Sequence, residues 1–105
     1  MQYTVLLVPD PEWFSVSVPA MPGCVSQGRT RDEALRNVLD AMEGWLASEA
    51  EQGRGPLPET PSLVSEGVAE ALQIIQEMRE AGEVPDDQGY RLELATVDIR
   101  ETAVA

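Results

Sequence analysis

The chain contains no histidine, no lysine and a single cysteine among its 105 residues. Each absence removes a class of chemistry. Without histidine there is no Ser-His or Cys-His nucleophile pair and no imidazole metal ligand. Without lysine there is no Schiff base and no P-loop. The lone cysteine, Cys24, excludes an internal disulfide and suits a reducing cytoplasm. No apolar run approaches the roughly 20 residues that span a bilayer. The opening stretch Met1-Gln2-Tyr3-Thr4-Val5-Leu6-Leu7-Val8 lacks the basic segment that begins a signal peptide, so none is expected.

Positive charge is also scarce. Seven arginines are the only cations against 19 acidic residues, a net charge of −12. That field repels nucleic-acid phosphates, whose binding depends on neutralisation by cationic side chains. It attracts and steers a basic protein; it also serves plain solubility. The length fits one domain over residues 1–105, and a 43% hydrophobic content supports a small core.

What is present reads as strands first. Gln2 to Val8 is rich in β-formers and apolar on both faces, which implies a central strand or a face used for association. Pro9 to Glu12 is a loop. Trp13 to Val18 alternates, with Phe14, Val16 and Val18 opposite Trp13, Ser15 and Ser17, the pattern of a half-buried antiparallel strand. Pro22-Gly23 is a turn dipeptide, and Cys24 to Gln27 follows as a third short strand ended by Gly28. Thr30-Arg31-Asp32-Glu33 is a capping box. It opens a helix from Arg31 to about Glu51 with Leu35, Val38, Leu39, Met42, Trp45 and Leu46 along one stripe. Gly53 to Pro58 is a linker. Thr60-Pro61 starts a second helix, with Ser65 as an alternative cap. Its stripe is Val64, Val68, Ala71, Leu72, Ile75 and Met78, leaving Ile74 outside as a sign of a second contact surface. Tyr90 to about Arg100 is the last strand. Its apolar phase slips between Leu94 and Val97, which implies a bulge near Ala95-Thr96 or burial on both faces. The order β-β-β-α-(α)-β is that of an α+β domain, an antiparallel sheet with helices packed on one face.

The pattern Pro-x-x-Pro-Gly-Cys-x-x-x-Gly-x-Thr-x-x-Glu-Ala from Pro19 to Ala34 resembles the HicB family of type II antitoxins. The preceding hairpin, the long helix and the Gly53 to Pro58 stretch extend the likeness over residues 1–58. The resemblance implies a truncated RNase H-like fold. It implies no enzymatic activity, no cofactor, and a partner: the HicA-type toxin, a small mRNA interferase that the antitoxin neutralises by covering its active surface. It implies a dimer or tetramer in the cytoplasm. Many relatives also carry a DNA-binding domain. Here residues 59–105 are divergent instead, holding eleven carboxylates and three arginines, so direct nucleic-acid contact is not expected. The alternative is a solitary homo-oligomeric regulatory module without a toxin.

Candidate site residues follow from these readings. A reactive Cys24 would need a base or cation, and only Arg29 and Arg31 are near in sequence, so it reads as a small buried residue. Metal-dependent nuclease chemistry would need Asp10, Glu12 and Asp98 to converge; solvated loop charges are the simpler reading. Trp13 is a candidate partner anchor, or packs on the second helix or a sister subunit; Ile74 is the other partner-binding candidate. Pro19, Pro22, Gly23, Cys24, Gly28, Thr30, Glu33 and Ala34 are assigned to architecture.

Overall fold

The computed structural model describes residues 2–9, 12–54, 58–82 and 92–99. The elements are β1 (Gln2–Pro9), β2 (Phe14–Ser17), β3 (Val25–Gly28), α1 (Arg31–Glu51), α2 (Pro61–Glu80) and β4 (Glu93–Asp98). They form one antiparallel sheet in the order β3-β2-β1-β4. β1 is central, as its two apolar faces require, because each face meets a covering layer.

Strand alternation sorts the side chains. Tyr3, Val5 and Leu7 of β1, Val16 of β2 and Val97 of β4 point to one face and are buried there with Ala34, Val38 and Met42 of α1. α1 starts at its expected residue because Thr30 caps it: the Thr30 Oγ1 accepts the Glu33 N–H at 3.1 Å. It ends in a Schellman motif. Gly53, at φ +76°, donates to the Ala50 carbonyl, and Arg54 donates to that of Glu49.

α2 lies on the opposite face, which corrects the expectation that both helices share one. Leu6 points away from Val5 and Leu7, and it is Leu6 that α2 approaches. A Cβ built on Gly67 would stand 3.3 Å from the Leu6 Cδ1 and 2.8 Å from the Pro19 Cγ. The helix therefore crosses β1 at a residue with no side chain. Its cap is Thr60 rather than Ser65, with the Thr60 Oγ1 accepting the Leu63 N–H at 3.2 Å and Pro61 in the first turn. Of its expected stripe, Ile75 is buried, whereas Leu72 is 51% exposed.

The strand ends also shift for identifiable reasons. Cys24 falls outside β3 because its N–H and C=O close the preceding loop, bonding Met21 and Val18. Trp13 precedes β2. β4 carries no bulge: its register with β1 runs unbroken from Gln2↔Asp98 to Leu7↔Glu93. The phase slip arises because Leu94 and Val97 face opposite sides, and Leu94 is left 53% exposed. The Tyr90, Arg91 and Arg100 ends of the expected strand lie outside the described residues.

β2 pairs with β1 only from Leu6 to Pro9. The N–H of Thr4 faces the gap beyond β2, and Glu59 fills it. The Glu59 carboxylate accepts the Thr4 N–H at 2.5 Å and the Thr4 Oγ1–H at 3.0 Å. A side chain from the segment between the helices thus supplies the acceptor that β2 does not offer to the Thr4 amide.

Candidate functional site

The stretch Pro19 to Ala34 is built as a double turn, a strand and a helix start. Val18 O accepts the Met21 N–H at 3.0 Å, and Met21 O accepts the Cys24 N–H at 2.9 Å. Pro22 and Gly23 occupy the middle of the second turn, where Gly23 has φ +83° and the proline presets the position before it. Trp45 on α1 donates its Nε1–H to the Pro22 carbonyl at 3.0 Å, fastening the loop to the helix. Asn37 does the same for β3, donating to the Gln27 carbonyl at 2.8 Å. Gly28 is where β3 meets the helix backbone: a Cβ there would lie 2.8 Å from the Ala34 Cα and overlap its amide nitrogen.

Cys24 is buried, and desolvation pushes its thiol above the usual value. A raised pKa is the reverse of what a nucleophilic thiolate needs. Among the described residues, no group of three or more Asp, Glu, Cys or His is placed to hold a metal ion. Glu12 and Asp98 are among those residues; Asp10 lies outside them. No described helix is long and apolar enough to cross a membrane.

Trp13 and Ile74 sit at different places. The Arg29 guanidinium lies 5.1 Å from the Trp13 ring centroid, a cation–π contact that joins the start of β2 to the end of β3. Ile74 is 50% exposed on α2 and lines a groove of about 640 Å³ between that helix and the β2–β3 half of the sheet. The floor of the groove carries Leu6, Val8, Ser15, Ser17 and Val25, the last 65% exposed. Glu66 and Glu70 stand along its α2 wall, and none of the described lining residues is cationic. Val25 drew no attention in the sequence. Its neighbours Ser26 and Gln27 give it no alternating apolar partner, and the exposure follows from the position of β3 at the sheet edge.

A model described as the HicB-like antitoxin of bacterial toxin-antitoxin systems matches residues 3–101. The chain belongs to the HicB-like antitoxin family. The match includes α2 and β4 as well as the motif-bearing first half. Among curated proteins, an UPF0150 protein of Thermoplasma acidophilum is 43% identical over 49 residues, 46% of this chain and 71% of that protein. An UPF0150 protein of Helicobacter pylori is 39% identical over 46 residues, 44% of this chain and 64% of the relative. Among solved structures, a chain of the HicA3 and HicB3 toxin-antitoxin complex superposes with a TM-score of 0.57 at 19% identity, covering 95% of this chain and 99% of its own. The Burkholderia pseudomallei antitoxin HicB gives 0.55 at 28% identity, covering 94% of this chain and 64% of its own. The four-stranded sheet with its two helices is thus the fold of these HicB antitoxins.

Proposed function

We propose that this HicB-like chain acts without enzymatic activity, in the cytoplasm, by binding and neutralising a HicA-type mRNA interferase. The observation that carries this reading is the family match over 3–101. The surface chemistry agrees with it. An acidic chain speeds encounter with a basic protein, and apolar side chains left exposed beside the acidic helix provide surface for burial. Direct contact with nucleic acid has no place in it, since a net charge of −12 repels phosphate. The test mixes the purified chain with a HicA-type toxin. Complex formation and loss of RNA cleavage are expected; no binding with undiminished cleavage would overturn the reading.

A second reading is favoured by Leu72 and Leu94, 51% and 53% exposed, with Leu94 on the edge strand β4. Apolar groups at a sheet edge suit self-association, so the chain is a homo-oligomer, dimer or tetramer, with or without a toxin. Light scattering should give a multiple of 11.4 kDa, and a monomer mass would refute it.

A further inference from the structure

We propose that the groove between α2 and β3 is the seat of a basic amphipathic helix contributed by the toxin partner; this rests on the antitoxin reading above. α2 crosses its face of the sheet over β1 and the Pro19 end of β2, with Gly67 over Leu6 and Pro19. Strands lie about 4.8 Å apart, so β2 and β3 extend the floor by about 10 Å beyond β1. Helices pack side by side at about 8–10 Å. The uncovered strip is therefore one helix wide. Its α2 wall runs from Leu63 to Met78, about four helical turns.

The lining specifies the occupant. Val25 on the outer strand and Ile74 on the helix wall present apolar surface from two sides, above Leu6 and Val8. Ser15 and Ser17 are small enough to let an apolar ridge approach the strand between them. Glu66 and Glu70 line the α2 wall and are exposed. A helix with an apolar stripe below and Arg or Lys along the flank beside α2 answers each of these features. A second copy of this chain answers them poorly. A twofold pairing that placed α2 in its partner's groove would set Glu66 and Glu70 beside the same two carboxylates of the other copy, and facing like charges disfavour association.

The test is calorimetric titration of the full chain with the same HicA-type toxin. Three variants are compared: Glu66→Arg with Glu70→Arg, Ile74→Asp, and Glu43→Arg as a control on α1, across the sheet from the groove. All substituted positions are exposed, and thermal melts report whether each variant folds. The two groove variants should weaken binding by about tenfold or more, the scale of a lost close charge pair or buried anchor, with Glu43→Arg unchanged. Hydrogen exchange on the unaltered complex supplies an independent reading, with protection expected along residues 15–17, 25–27 and 63–78. Groove variants that bind like the parent, or a complex without protection at those residues, would overturn the groove while leaving the antitoxin reading intact. Groove variants that alter oligomeric mass but not toxin binding would overturn it in favour of a second copy. Failure of the unaltered chain to bind would overturn both.

Discussion

Gly28 and Gly44 show how differently one residue type is constrained within a single chain. At Gly28 the first turn of α1 sits against the strand, and a methyl group would run into the Ala34 backbone. Backbone cannot swing aside as a flexible side chain can, so Gly28→Ala should destabilise by about 1–3 kcal/mol, the range for overpacking. At Gly44, within α1, nothing lies within 4 Å of a built Cβ. Gly44→Ala should stabilise by about 0.5–1 kcal/mol through helix propensity alone. Urea unfolding of the two variants beside the parent checks both signs, and equal shifts would contradict the close-approach argument. Cys24 belongs at this scale too. Its burial and raised thiol pKa make it a packing residue, in keeping with a sequence that offers no histidine to activate it.

At the scale of elements, Glu59 does work usually done by a strand. It is the partner of the Thr4 amide in the gap that short β2 leaves open. Glu59→Ala should cost about 1–3 kcal/mol, since a part-buried amide loses a charged acceptor. Hydrogen exchange at Thr4 should quicken by more than the global loss explains; an unchanged Thr4 rate relative to neighbouring amides would sink the idea. The β-β-β-α half was readable in sequence because its joints are local: Pro22-Gly23 makes a turn, Thr30 makes a cap, and Trp45 and Met42 recur at helical spacing. The side of the sheet taken by α2 was not readable. An amphipathic period says which face of a helix is apolar, not which of two apolar sheet faces it meets. Gly67, which settles that choice, has no side chain to enter the pattern. The groove was half legible, through Ile74; the outer edge of its floor, Val25, depended on β3 being an edge strand. Trp13 could not be placed, because its partner Arg29 comes from another element.

For the molecule as a whole, charge sets the response to pH and salt. Glu93 is held below its usual value near 4.5 mainly by hydrogen bonds from Arg31, and Glu49 likewise by Arg54. A carboxyl depressed in the folded state contributes stability above its unfolded value, and that contribution is lost as pH falls through the folded value. Both pairs are exposed, so each contribution is small. Arg31→Met should lower stability at pH 6 and narrow the difference between pH 6 and pH 3; parallel pH profiles for variant and parent would contradict this. The pairing of β1 with β4 has a further consequence, in the order of synthesis. Gln2 emerges from the ribosome 96 residues before its partner Asp98. Through most of that interval the central strand is paired by β2 along Leu6 to Pro9 and bare on the other side, with Leu6 waiting for Leu94. A nascent or prematurely ended chain therefore offers its most apolar strand as a free edge to whatever β-strand is nearest, including that of the next chain on the same message.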